Sequence, residues 1–339
     1  MIKFILEKIT AGENLSYTDA FYLMELILKG ELNNSRLAGL LMALRTKGET
    51  ADEIGGFAKA MREMSIKIKS PSENTIDLCG TGGDGSGSFN VSTAASFAAA
   101  GAGFYVAKHG NRSVSSKCGS ADVLNELGVN ISLPPEKSEV VLHKIGIVFL
   151  FAPVHLPSMK NIAFVRNELG VKTIFNMLGP LVNPAQTKRQ LIGAFSNKAA
   201  QIMAEASRYL NMDKVCFVNS GNKYDEIALN AQTDVYEFIF NNGIRNYSLS
   251  SKDFGYCDID ELNIQGGDAK FNAEIILKVL RDKEQGDAFK IISANTAMAL
   301  YCGGYSDNLL ECAKAAEESI LSGNAFNKLK LLTDFSNKI

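Results

Sequence analysis

Residues 80–93 read GTGGDGSGSFNVST: Gly80, Gly82, Gly83, Gly85 and Gly87 are interleaved with Thr81, Asp84, Ser86 and Ser88, and Asn90, Val91, Ser92 and Thr93 follow. Glycine tolerates positive φ and lets backbone approach a ligand closely. A loop rich in N–H groups and hydroxyls that feeds a helix N-terminus is an anion site. Two familiar phosphate loops fail here. Gly80, Gly82 and Gly85 satisfy G-x-G-x-x-G, but the dinucleotide version wants an acidic residue ~20 residues on, after the next strand. This chain has Lys108 and His109 there. The P-loop needs Lys and then Ser or Thr after its last glycine, whereas Gly85 is followed by Ser86 and Gly87 by Ser88. The stretch therefore reads as a phosphate loop of a third kind, set against the alternative of a flexible glycine turn.

Three further clusters have chemistry to offer. Residues 108–120, KHGNRSVSSKCGS, carry Lys108, Arg112 and Lys117 among serines and glycines; guanidinium forks and hydroxyls bind phosphate oxygens. Two separate anion loops at one sheet edge point to a ligand with phosphate at both ends. Asp225 and Glu226 form an acidic pair beyond a predicted strand, and Mg²⁺ is commonly held by one or two carboxylates together with substrate phosphates. Arg166, beside Phe164 and Val165, precedes a break at Asn176, Met177, Leu178, Gly179 and Pro180; such an arginine suits a carboxylate ligand.

The elements that must position these groups alternate in type. Residues 1–68 read as helices only: 18–29 stops at Gly30, 37–47 is capped by Asn33 or Asn34, and Thr50 with Glu53 is a capping box opening 51–64. Residues 67–72 read as a linker. From Thr75 onward, strands are expected at 76–79, 104–107, 147–151, 190–194, 215–218 and 235–240. Helices are expected at 92–100, 120–127, 136–144, 159–169, 198–210, 272–280, 287–302 and 308–321. That alternation predicts an α/β fold, a mostly parallel sheet flanked by helices, joined to a smaller all-helical domain. Ligands in such folds gather at the carboxyl ends of the strands.

Composition narrows the classes. The 339 residues carry 35 Lys+Arg against 37 Asp+Glu, a net charge of −2. This balance argues against a dominant nucleic-acid or membrane footprint. Cysteines at 79, 118, 216, 257, 302 and 312 form no C-x-x-C pair, and three histidines leave little for a zinc site. Isolated cysteines fit a reducing cytoplasm. The apolar stretches 97–107 and 145–154 fall short of the ~20 residues that a membrane helix needs.

The chain resembles the anthranilate phosphoribosyltransferases of tryptophan biosynthesis nearly end to end. The likeness rests on Gly80-Thr81-Gly82-Gly83-Asp84, Asn90-Val91-Ser92-Thr93, Lys108-His109-Gly110-Asn111-Arg112, Gly119-Ser120-Ala121-Asp122, Arg166, residues 176–184 and Asp225-Glu226. It implies a helical domain over 1–70, completed by part of 164–188, on an α/β domain over 75–339, with dimerisation through the helical part. It implies transfer of the phosphoribosyl group of phosphoribosyl pyrophosphate to anthranilate with release of pyrophosphate. The donor would be bound by Gly80, Gly83, Asp84, Ser88, Asn90, Val91, Ser92, Thr93, Lys108, His109, Gly110, Asn111, Arg112, Ser113, Val114, Ser115, Ser116 and Ser120. Anthranilate would meet Gly80, Asn111 and Arg166, and Mg²⁺ would be held by Ser92, Asp225 and Glu226. No side chain is assigned as catalytic acid or base; Asp84 and His109 are the ionisable candidates.

One departure stands out. The family commonly reads Ala-Pro-x-x-His-Pro where this chain reads Ala152-Pro153-Val154-His155-Leu156-Pro157. His155 sits one place early, so it is not expected to line the anthranilate entrance. Pyrimidine nucleoside phosphorylases share the general architecture but have a different glycine loop and a different lysine-serine signature. Non-catalytic relatives bind nucleic acid, against which stand the net charge and the complete donor motifs.

Overall fold

The structure, a computed structural model, describes residues 2–113 and 117–339; the expected donor residues Val114, Ser115 and Ser116 lie outside that range. Four helices open the chain: α1 (Ile2–Thr10), α2 (Tyr17–Leu28), α3 (Asn34–Lys47) and α4 (Ala51–Met64). Three of them start on side-chain caps. Ser16 accepts from Asp19 N–H, Asn33 from Arg36 N–H, and Thr50 and Glu53 cap each other reciprocally. Each such cap contributes about 0.5–2 kcal/mol. Glu53 is wholly buried because its carboxylate also accepts from Leu15 N–H at 2.9 Å and from Lys47 Nζ at 3.0 Å. Helix α1 lies in the stretch read as helical, though no bounds were set for it there; its buried residues are Ile5 and Ile9, one turn apart.

Seven strands follow: β1 (Ile76–Gly80), β2 (Val106–Gly110), β3 (Ile147–Phe151), β4 (Arg189–Gly193), β5 (Lys214–Ser220), β6 (Thr233–Ile239) and β7 (Gly243–Leu249). They form one sheet in the order β3-β2-β1-β4-β5-β6-β7, parallel from β3 to β5 and antiparallel from β5 to β7. Strand β2 begins two residues later than its apolar run suggests and takes in Lys108 and His109, which were expected in the loop beyond it. They fit inside a sheet because both polar heads find partners there. Strand β7 was not anticipated: it is an edge strand whose one buried residue is Leu249, so it lacks the apolar alternation of a half-buried strand.

The remaining helices are α5 (Val91–Gly101), α6 (Ser120–Glu126), α7 (Pro135–Ile145), α8 (Ala152–His155), α9 (Met159–Leu169), α10 (Phe175–Leu178), α11 (Asn197–Ala206), α12 (Ala269–Leu280), α13 (Asp287–Gly303), α14 (Leu309–Leu321) and α15 (Asn324–Lys338). The unpredicted α15 buries Ala325, Leu329 and Leu332 and packs on α5.

Two apolar clusters result. One joins β1–β3 to α5, α7, α12, α13, α14 and α15. The other runs from α1–α4 through Leu156, Ile162, Val165, Phe175, Leu178 and Leu181 to Ile192, Val215 and Phe217 on β4 and β5. The excursion that carries Arg166 thus shares its core with the first four helices.

Candidate active site

Strand β1 lies between β2 and β4. The chain leaves β1 toward β2 and β3, then returns to the other side for β4 and β5. The crevice outside the carboxyl ends of β1 and β4 is therefore the topological switch point, where open α/β sheets bind ligands. Gly80 ends β1, Gly193 ends β4, and the two are in register.

The glycine loop leaves β1 here and is fastened to the loop after β5. Thr81 N–H donates to the Gly193 carbonyl at 2.9 Å. Gly82 N–H donates to Asp225 Oδ2 at 2.9 Å, and Asp225 N–H donates to Asp84 Oδ2 at 3.2 Å. A Cβ on Gly80 would strike the Asp225 carboxylate, and one on Gly193 would strike the Asp225 backbone carbonyl. These two glycines admit the acidic loop to the edge. On its far side the glycine loop is bridged to residues 264–266: Gly266 N–H donates to Gly87 O at 2.7 Å, and Phe89 N–H to Ile264 O at 3.2 Å.

Three carboxylates meet at this edge. Burial, followed by the charge of Asp84, pushes the Asp225 carboxyl up to about 7. Burial and then Asp225 push Glu226 well above the usual carboxylate range. Glu226 Oε1 is buried without a hydrogen-bond partner. Like charges crowded with an orphaned oxygen fit a divalent cation, which would relieve the repulsion and take the free lone pair. Asp77, Cys79 and His109 also lie close together, but both ring nitrogens of His109 are already engaged, so that group reads as a hydrogen-bonded network.

Lys108 is buried in β2. Its Nζ donates to Leu78 O at 2.6 Å and to Ser92 Oγ at 3.2 Å, in the first turn of α5. Burial pulls the ammonium down, against the nearby Asp77 charge. Asn90 caps α5 by position only; its side chain instead accepts from Asn272 Nδ2 at 2.9 Å. Beyond β2, Asp122 organises the basic loop. It accepts from Arg112 Nη1 at 2.8 Å, Ser113 N–H at 3.1 Å and Gly119 N–H at 2.9 Å. Ser120 Oγ donates to Asn111 O at 3.4 Å. Asn111 and Arg112 are exposed.

His109 is buried, with Nδ1 at 2.6 Å from Asp77 Oδ2 and Nε2 at 2.9 Å from Gly179 O. Burial works against the imidazolium, but Asp77 outweighs it and holds the ring above its ordinary value. The Gly179–Pro180 turn thereby abuts the ends of β1 and β2. Helix α9 of the same excursion presents Arg166, half-buried, with its guanidinium 5.5 Å from the Phe175 ring centroid. Burial depresses it, and no carboxylate among the described residues pairs with it. His155 turns elsewhere. Its Nδ1 is 3.0 Å from Ile66 O, and its own carbonyl accepts from Ile66 N–H at 2.7 Å, so it ties α8 to the linker.

Reasoning from sequence overlooked Asp77, Gln190 and Gly193, and named Asp122 only as part of the motif 119–122, without a role. Asp77 had a legible signal, a lone charge inside an otherwise apolar strand. Gly193 had none, since its need arises from a loop 32 residues later, at Asp225.

Two family descriptions match the chain: "Glycosyl transferase family, helical bundle domain" over residues 3–65 and "Glycosyl transferase family, a/b domain" over residues 72–326. Fold and site thus define a transferase of that two-part class. An anthranilate phosphoribosyltransferase of Clostridium kluyveri is 43% identical over 337 residues, covering 99% of this chain and 100% of that protein. The crystal structure of the Thermus thermophilus anthranilate phosphoribosyltransferase superposes with TM-score 0.91 at 36% identity, over 98% of this chain and 99% of that one. The Saccharomyces cerevisiae enzyme, in complex with PRPP and Mg, superposes with TM-score 0.91 at 27% identity, over 100% and 98%. The chain belongs to the anthranilate phosphoribosyltransferase family.

Proposed function

We propose that the crevice at the ends of β1, β2, β4 and β5 carries out the reaction of this family. The phosphoribosyl group of 5-phospho-α-D-ribose 1-diphosphate passes to the amino nitrogen of anthranilate, giving N-(5-phosphoribosyl)anthranilate and pyrophosphate in tryptophan biosynthesis. The observation that carries this reading is the fastening of Asp225 and Asp84 to the N–H groups of the glycine loop. With Glu226 Oε1 left unpartnered among crowded carboxylates beside that loop, the edge suits a cation that bridges to a polyanion.

Gly80, Gly83, Asp84, Ser88 and residues 90–93 cradle the diphosphate and ribose. Lys108 and Gly110–Ser113, with Val114, Ser115, Ser116 and Ser120, take phosphate oxygens, whereas His109, expected among them, has both ring nitrogens and its backbone N–H engaged by Asp77 and Gly179 and stands behind them. Lys108 serves from below, as a charge under the first turn of α5. Ser92, Asp225 and Glu226 hold Mg²⁺, which when bound neutralises charge on the departing diphosphate. Arg166 takes the anthranilate carboxylate, while Asn111 and the Gly80 backbone place its ring. The amine is a neutral nucleophile that sheds its proton during or after attack, so positioning supplies most of the rate and no strong base is required. Both ring nitrogens of His109 are engaged by Asp77 and Gly179, so that ring is not available for the proton, while Asp84 accepts from Ser86 N–H and Asp225 N–H.

The helical domain in this reading is residues 1–70 completed by part of 164–188, on an α/β domain over 75–339. The shared core of α9, α10 and α1–α4 supports that division. A homodimer forms through the helical part, where Phe4 and Tyr22 stand exposed; a monomer by sedimentation at micromolar concentration would refute it. No helix among the described residues is long and apolar enough to cross a membrane. The six cysteines, none joined in a disulfide, suit the cytoplasm, which cell fractionation tests. Product analysis tests the reaction. Protein, donor and Mg²⁺ should consume anthranilate, whereas phosphorolysis of thymidine or uridine in its place would identify a nucleoside phosphorylase. A gel shift at physiological salt would identify a nucleic-acid-binding relative.

A further inference from the structure

Asp77 is the second residue of β1, fully buried, in a parallel strand flanked on both sides. A charge placed there costs stability unless it is paired and hydrogen-bonded. Three donors converge on its carboxylate: the His109 ring at 2.6 Å, the His109 backbone N–H at 3.2 Å and Gln190 Nε2 at 2.7 Å. The network does not stop at His109. Its second ring nitrogen faces the Gly179 carbonyl at 2.9 Å, and Gln190 Nε2 also reaches the Pro180 carbonyl at 3.2 Å. A carboxylate and a carbonyl only accept, so a ring held between them carries both protons. Two successive carbonyls are therefore tied to the sheet through one buried carboxylate. They stand where the excursion bearing Arg166 and Phe175 comes back to the end of β1.

We propose that Asp77 is a positioning residue for the acceptor: by pinning the His109 imidazolium and Gln190 it sets the Gly179–Pro180 turn beside Cys79, whose Sγ is 3.9 Å from the Pro180 carbonyl, and with it the place at which the Arg166 excursion meets the donor crevice. The inference rests on the acceptor-site reading given above. Asp77 touches neither substrate in this account and acts through His109 and Gln190. The groups that face the ring are Asp77 and Cys79 from β1, Lys108 beside it in β2, His155 from α8, and Asn183, whose Nδ2 is 3.4 Å from Nδ1. Lys108 and His155 oppose a charge on the ring; the Asp77 carboxylate is what favours it.

The test is Asp77→Asn, which keeps the size of the side chain and removes the charge. The KM for anthranilate should rise tenfold or more while the KM for the donor stays within twofold. In ¹⁵N-histidine-labelled wild-type protein at pH 7.5, both His109 ring nitrogens should resonate as imidazolium; in Asp77→Asn the ring should become a neutral tautomer. Gln190→Leu, which removes the Pro180 leg and one of the three donors to Asp77 but keeps the Asp77–His109 pair, should raise the anthranilate KM less and leave the imidazolium signal in place. An ordinary neutral ring for His109 in the wild type overturns the proposal, even should neither variant fold. So does equal weakening of both substrates in Asp77→Asn. Arg166→Ala, run in parallel, separates the two claims. Unchanged anthranilate binding in Arg166→Ala refutes the acceptor-site reading, whereas loss there without loss in Asp77→Asn refutes the role of Asp77.

Discussion

Removing Arg166 isolates the acceptor half of the site. The guanidinium is half-buried on α9 over the Phe175 ring, depressed by desolvation, and has no carboxylate partner among the described residues. A partly desolvated cation without an anion is poised for an anionic ligand. A charge-assisted bidentate pair to a carboxylate contributes about 1.5–3 kcal/mol, and each 1.4 kcal/mol is tenfold in affinity, so Arg166→Ala should weaken anthranilate roughly 10- to 150-fold. The fold should suffer little. An exposed-type cation–π contact contributes about 0.5–1 kcal/mol, and its loss is offset by relief of the desolvation. Arg166→Lys should fall between, since an ammonium replaces the fork with a single point charge. Titration calorimetry with anthranilate, and separately with donor and Mg²⁺, reads both affinities. Wild-type anthranilate affinity in Arg166→Ala, or an equal loss for the donor, would refute the assignment of this arginine to the acceptor.

The other predictions concern donor, metal and protonation. Lys108→Met keeps the aliphatic stem but removes the ammonium from Leu78 O and Ser92 Oγ. It should raise the donor KM at least tenfold, leave the anthranilate Kd within twofold, and cost about 1–3 kcal/mol of stability for the orphaned acceptors, as steady-state kinetics and denaturant melts will show. Asp225→Asn with Glu226→Gln should abolish stabilisation by Mg²⁺ yet raise the metal-free unfolding free energy by about 1 kcal/mol or more, because it relieves the like-charge crowding at the edge; scanning calorimetry with and without Mg²⁺ reads both signs. The Asp77–His109 pair should shape stability against pH from both sides. Asp77 is held below its ordinary value, so its stabilisation is present above about pH 3.9 and is lost as pH falls through the folded value. His109 is held above its ordinary value, so its stabilisation is complete below about pH 6.5 and is lost as pH rises through the folded value. Asp77→Asn should flatten the alkaline limb in a series of thermal melts. His155→Ala should cost about 1–3 kcal/mol of stability through the lost Ile66 contact while changing the anthranilate Kd less than threefold; a loss matching that of Arg166→Ala would place this histidine at the entrance after all.

Much of the frame was legible because it rests on local signals. The capping box of Thr50 and Glu53, the glycine stop at Gly48 and the strand-loop-helix run through residues 76–101 are written in adjacent residues. What could not be read is what tertiary partners decide. Lys108 and His109 look like loop residues until Leu78, Ser92 and Asp77 are there to take their charges inside β2. Strand β7 is held by its ladder with β6, not by an apolar pattern of its own. Leu156 looked like an empty register position next to a displaced His155. In the folded chain it is buried in the cluster shared with α1–α4, so restoring a histidine there would bury a polar ring in an apolar core.

The reaction itself is the most direct test. Anthranilate is fluorescent, and joining its nitrogen to the sugar changes that signal. With protein, phosphoribosyl pyrophosphate, Mg²⁺ and anthranilate together, the fluorescence should fall with time, one pyrophosphate should appear for each anthranilate consumed, and omission of the donor or of Mg²⁺ should stop the decay. A signal that holds steady with every component present, in protein shown to be folded, would contradict the account.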